Sequence, residues 1–220
     1  MKSSATFRLP ATGLALILAA RASAEGITSA HWRTTVTVEG ARPGQSLQEA
    51  EVWLVGTNLR VEERTKGKPT TDVWELDGQV YVWVEGEPTG SKMAAGLALR
   101  SGRPSHAFVR QTAEIRAHGR KIGTESVDGR PCEIFEYEGP QGKGTFWLAP
   151  KLQDFPVRAV LERNLLPDYH SAAARTVKLE YRNTDVRIPA ERVEAKMALP
   201  PGVQFQDLTE LMFLGRARSR

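Results

Sequence analysis

Apolar and polar residues alternate with a period of two over most of the chain, the pattern of strands with one face buried. Trp32, Thr34, Val36 and Val38 alternate with His31, Arg33, Thr35 and Thr37, which predicts a strand over 30–38 followed by a turn at Pro43-Gly44. Glu51–Val55, Leu59–Arg64 and Thr71–Leu76 read as three more strands, separated by turns at 56–58 and 66–69. In the second of these, Leu59, Val61 and Glu63 share one face, and Arg60, Glu62 and Arg64 are expected to meet solvent. Asp77-Gly78 is a strong hairpin dipeptide, because both turn positions need a left-handed backbone.

The strand after that turn, Gln79–Glu85, breaks the rule. Val80, Val82 and Val84 point one way and Tyr81 and Trp83 the other, so both faces need cover. A helical insertion is predicted from Met93 to Ala117: residues 91–100 lack β-branched side chains, and Ser105 can N-cap a helix ending at Gly119. Phe108, Val109, Thr112 and Ile115 form its apolar stripe. Strands resume at Lys121–Val127, Cys132–Glu138, Thr145–Leu148, Val157–Arg163 and Thr176–Arg182, with Val193–Met197 as a last short piece. The sum is a mainly β (α+β) chain: a curved antiparallel sheet of about ten strands, forming an incomplete barrel with one or two lid helices.

The N-terminus changes the reading of the charge. Lys2 and Arg8 precede a ten-residue apolar run, Ala11–Ala20, and Ala22-Ser23-Ala24 supplies a small-x-small cleavage site. The run is about half the roughly 20 residues that a membrane crossing needs. Residues 1–24 are therefore expected to be a signal peptide cleaved after Ala24, leaving 25–212 as a single domain and 213–220 as a basic tail. The full chain carries a formal charge of +4; without Lys2, Arg8 and Arg21 it has 27 basic and 26 acidic residues, net +1. Three of those bases are Arg216, Arg218 and Arg220, so the body is slightly acidic and nucleic acid is not an expected partner.

Candidate chemistry narrows the picture further. Cys132 is the only cysteine, which excludes disulfides and cysteine-rich zinc sites and, beside Pro131, reads as a buried structural thiol. His31, His106, His118 and His170 show no metal-ligand spacing, and Gly90-Ser91-Lys92 is not a nucleophile elbow. No enzyme activity, metal or cofactor is expected. Trp32, Trp53, Trp74 and Trp83 fall in the first five strands and Trp147 later; clustered in this way they read either as core or as the lining of a ligand cavity.

The order of these motifs resembles the periplasmic lipoprotein carriers of the LolA/LolB type. The run Glu51–Val84, with its Asn58-Leu59-Arg60 strand and its hairpin Asp77-Gly78-Gln79-Val80-Tyr81-Val82-Trp83, resembles the first sheet of that family. Residues 123–137, Thr145–Pro150, Tyr181–Val186 and Met197–Gln206 resemble its later strands and its ending, so the likeness spans about Trp32 to Leu208. Two departures stand out: only Glu25–Ser29 precede the first strand, where carriers usually have a helix, and the polar loop Gly40–Glu49 looks inserted. Each motif is weak alone, and their order carries the likeness.

The resemblance implies a monomeric periplasmic carrier or binding protein for lipoprotein acyl chains, other lipids or other apolar molecules, exchanging cargo with membrane donor and acceptor proteins. A sensor or interaction module on the same fold is the alternative. The cavity or lid residues expected are Trp32, Val36, Trp53, Val61, Trp74, Tyr81, Trp83, Leu97, Phe108, Ile115, Leu161 and Leu179. Arg60 lies nearest in the pattern to the basic residue with which some carriers hold cargo, without that role being fixed.

Overall fold

The computed structural model describes residues 27–39, 48–65, 67–98, 106–139, 142–165 and 175–209; of Leu97 and of 163–165 and 175 it describes the backbone alone. The expected signal peptide, the loop turn at Pro43-Gly44, the Ser105 cap, His170 and the basic tail lie outside these residues.

The described strands are β1 (Ser29–Val38), β2 (Gln48–Val55), β3 (Asn58–Arg64), β4 (Thr71–Leu76), β5 (Gln79–Val84) and β6 (Thr89–Ala94), then β7 (Arg120–Val127), β8 (Arg130–Gly139), β9 (Gly142–Ala149), β10 (Phe155–Leu165), β11 (Arg175–Arg187) and β12 (Gln204–Asp207). They form one sheet in the order β12-β6-β5-β4-β3-β2-β1-β11-β10-β9-β8-β7. Neighbours are antiparallel except for β12, which runs parallel to β6. The sheet does not close, and it is an incomplete barrel in which β1 meets β11 across the middle.

Turn chemistry explains much of this topology. Asp77 and Asp128 adopt φ of 49° and are followed by Gly78 and Gly129 at 79° and 76°, the left-handed pairs that close the β4–β5 and β7–β8 hairpins. Gly90 has a different role. A Cβ there would lie 2.6 Å from the Phe205 ring, so glycine leaves room for that ring where β12 pairs with β6.

Three expectations are corrected. Residues 91–94 belong to strand β6 rather than to a helix, because hydrogen bonding to β5 outweighs their weak β propensity. Among the described residues the helical insertion consists of short pieces: α1 (Ala95–Ala98), a 3-10 turn (Ala107–Gln111) and α2 (Thr112–His118), ended at Gly119 as expected. Val193–Met197 is not a strand: Glu194–Met197 is a 3-10 turn, and the strand that follows it is β12.

Pairing register sorts the side chains onto two faces. Trp32, Val52, Val61, Val73 and Val82 form one cross-strand row, and Val36, Tyr181, Ala159, Phe146 and Phe135 another. Both rows lie on the inner face, against which the insertion packs through Phe108, Val109 and Ile115. On the outer face the corresponding row is His31, Trp53, Arg60, Trp74, Tyr81 and Lys92.

Candidate functional site: a plugged inner face and an outer cleft

The inner face is an apolar surface covered by a short plug. Phe108 reaches the sheet: its ring meets Tyr181 edge-on at 5.0 Å between centroids and lies 6.0 Å from Phe146. Trp32 meets Phe155 edge-on at 5.2 Å nearby. Phe108, Val109, Ile115, Trp32, Phe155 and Leu161 are all fully buried, so plug and sheet interdigitate in this conformation.

Polar ties hold the plug at its rim. Arg110 pairs with Glu75 of β4, Tyr137 donates to Glu114 of α2 at 3.1 Å, and Arg116 pairs with Glu133 of β8. His106 goes deeper. It is fully buried, its ring stands edge-on to Tyr181 at 5.5 Å, and its Nε2 donates to the Gln48 side-chain oxygen at 3.3 Å. Burial pushes its pKa down to about 3, so it is neutral at physiological pH. Trp32 Nε1, Thr34 Oγ1, His106 Nδ1 and Asn183 Oδ1 are buried on this face without a hydrogen-bond partner among the described residues.

Seven of the twelve residues expected at a cavity or lid come together here: Trp32, Val36, Val61, Phe108, Ile115, Leu161 and Leu179. Trp53, Trp74, Tyr81 and Trp83 do not join them, because the register puts them on the outer face. The side chain of Leu97 lies outside the described residues.

The outer aromatics have another partner. Arg60, expected at solvent, is only 16% exposed, with its guanidinium 5.2 Å from the ring centroids of both Trp53 and Trp74. Its Nε and Nη2 donate to Asp72 Oδ1 at 2.9 and 2.7 Å, and Nη1 donates to the Lys196 carbonyl at 3.3 Å. Arg60 therefore anchors the outer face and is turned away from the plug. Tyr81 is covered by Phe205 of β12, edge-on at 5.3 Å, and Trp83 Nε1 donates to the Glu87 carbonyl at 2.7 Å. The demand for cover on both sides of β5 is met by two separate elements.

A cavity also opens on this outer side. It is a cleft of about 790 Å³ between the sheet at His31 and Trp53 and the chain segment 187–196. No local pattern in the sequence marks it, because its cationic lining comes from the end of β11 and from a 3-10 turn far along the chain. Cys132 is buried, as expected, and its Sγ donates to the Arg130 carbonyl at 3.3 Å. Among the described residues no group of three or more His, Cys, Asp or Glu is placed to hold a metal ion.

No protein-family model matches the sequence, and no curated protein is significantly similar to it. Solved structures are similar in shape. An uncharacterized conserved protein from Thermus thermophilus superposes with a TM-score of 0.52 at 12% identity, over 88% of this chain and 99% of that one. The half-barrel fold is shared. At that identity the likeness shows the fold alone. A LolA superfamily protein from Nitrosomonas europaea (TM-score 0.39, 10% identity, 80% of this chain and 91% of that one) is a looser match. Lipoprotein LppX from Mycobacterium tuberculosis is another (0.40, 14%, 81% and 96%). Neither score is high enough to bear on function.

Proposed function

We propose that the mature chain is a periplasmic carrier of the LolA-like superfamily that takes acyl chains of lipoproteins, other lipids or other apolar molecules onto its inner face. One observation carries this reading: among the described residues, a wide apolar sheet face is covered by short helical pieces rather than by a second sheet. Phe108, Val109 and Ile115 fill the face, and polar ties outside it hold the insertion. Cargo and plug then compete for the same surface. Each buried methylene of an acyl chain contributes about 0.8 kcal/mol, so the drive to displace the plug grows with chain length.

The unpaired polar atoms beneath the plug add a preference. Trp32 Nε1, Thr34 Oγ1 and Asn183 Oδ1 offer donors and an acceptor without charge, which suits an ester or amide linkage at the head of an acyl chain. The likeness of motif order described above and the expected signal peptide support the same placement of the protein.

The test uses the mature chain, residues 25–220, purified from the periplasm. Native mass spectrometry and solvent extraction should find co-purified lipid, and dansyl-undecanoic acid should bind saturably. No extracted lipid together with no probe binding rejects the carrier reading.

A further inference from the structure

We propose that the outer cleft is a binding site for an organic phosphate, separate from the inner face. Arg187 and Lys196 face the cleft with Arg192, and none of the three pairs with a carboxylate among the described residues. Two carboxylates share the lining, and one of them is already engaged: Glu51 accepts from Arg33 Nε at 3.1 Å. Glu191 alone is left against three cations. Three cations lining one cleft beside a single free carboxylate favour an oxyanion seated among them. Two guanidinium groups suit a phosphate, since each can donate two parallel hydrogen bonds to its oxygens.

The floor of the cleft is built for a polar guest. His31 stacks on Trp53 at 5.3 Å between ring centroids, 16° from parallel, which holds the imidazole in place. Its Nε2 is buried without a hydrogen-bond partner among the described residues. Arg187 lies opposite His31 in the β1–β11 register, and the Lys196 ammonium lies 5.3 Å from the Trp53 ring centroid. Cations and imidazole therefore converge on one wall. Burial, and then Arg187, Arg33 and Lys196, depress the His31 pKa against the opposing pull of Glu51.

Size sets the class of ligand. About 790 Å³ lies within the roughly 300–1,000 Å³ typical of small-molecule sites and far exceeds what inorganic phosphate fills. The guest is a phosphate on a polar body, either a soluble phosphate ester or the headgroup of a phospholipid.

Calorimetric titration with glycerol 3-phosphate and co-sedimentation with phosphatidylcholine vesicles, with and without phosphatidylglycerol, distinguish the two sources. Arg187→Gln with Lys196→Gln should weaken binding at least tenfold in whichever arm is positive. Lys143→Gln with Lys151→Gln, on and beside β9, should change it less than twofold. Arg192→Gln alone serves as a second reporter if the double variant loses its circular dichroism signal. Binding of glycerol 3-phosphate supports a soluble ester, and binding only to anionic vesicles supports a headgroup. No binding in either arm, or an equal loss in the β9 variant, overturns the proposal.

Discussion

The Phe108 ring stands edge-on to Tyr181, 5.0 Å away, across the seam between the helical insertion and the sheet. Tyr181 sits at mid-sheet, paired with Val36 of β1 on one side and Ala159 of β10 on the other. Truncating Phe108 therefore strips the plug of its deepest anchor. A buried Phe→Ala change costs about 3–5 kcal/mol in general. Here the cost should fall on the plug. In Phe108→Ala, backbone amides of 107–118 are expected to exchange with deuterium faster, while those of β1 and β11 keep their protection. Uniform acceleration across the sheet would instead make the insertion an inseparable part of the core.

His106 ties plug stability to acid. Its folded pKa, about 3, lies below the usual histidine value of 6.5 because it is fully buried, and its described neighbours Gln48, Tyr181 and Phe108 carry no charge. Below pH 6.5 the unfolded or opened state binds more protons than the closed one. Stability is then lost as pH falls from about 6.5 toward 3, by about 1.4 kcal/mol per pH unit. Urea unfolding at a series of pH values should show this slope in the wild-type protein. His106→Leu should be flatter over the same interval, whatever its stability at pH 7.

Arg60 and Asp72 form the outer-face counterpart. Removing the guanidinium leaves a buried carboxylate alone, which typically costs about 3–5 kcal/mol. The Asp72 pKa is already raised by desolvation, with Arg60 opposing the rise. In Arg60→Ala that opposition is lost and the folded state holds the Asp72 proton more tightly than the unfolded chain does. The variant's stability should then fall as pH rises from below 4 toward neutrality, so its deficit relative to wild type is smaller at pH 4 than at pH 7. Equal deficits at the two pH values would mean that Asp72 does not carry the cost.

The two faces can be separated by binding. Trp83 lies on the outer side with its indole N–H on the Glu87 carbonyl. Trp83→Ala should leave the affinity for dansyl-undecanoic acid within about twofold, whereas Leu161→Asp, on the inner face, should abolish binding while the protein still folds in part. Loss of probe binding in Trp83→Ala would place the acyl site on the outer face.

The sequence made the strands legible because alternation is local. The β4–β5 and β7–β8 hairpins follow directly from Asp-Gly dipeptides, and the stripe Phe108, Val109, Thr112 and Ile115 is buried throughout. Alternation also shows that Tyr81 and Trp83 oppose Val80 and Val82. It cannot show which side carries the helices, and so it does not separate Trp53 and Trp74 from Trp32. The burial of Arg60 is hidden for a related reason: a lone arginine on a strand reads as solvent-facing until its cross-strand neighbours are known to be two indoles and, diagonally, an aspartate. Strand β12 is not legible in the sequence because Gln204–Asp207 is short and pairs with a segment more than a hundred residues earlier. The outer cleft depends on the same kind of distant meeting.

Competition between plug and cargo is tested most directly by the affinity of dansyl-undecanoic acid for wild type and for Phe108→Ala. If the closed plug blocks the inner face, loosening it raises the fraction of molecules competent to bind, and the apparent Kd falls. A tenfold or greater tightening is the expected result. An unchanged or weaker Kd in a folded Phe108→Ala protein contradicts a plugged carrier.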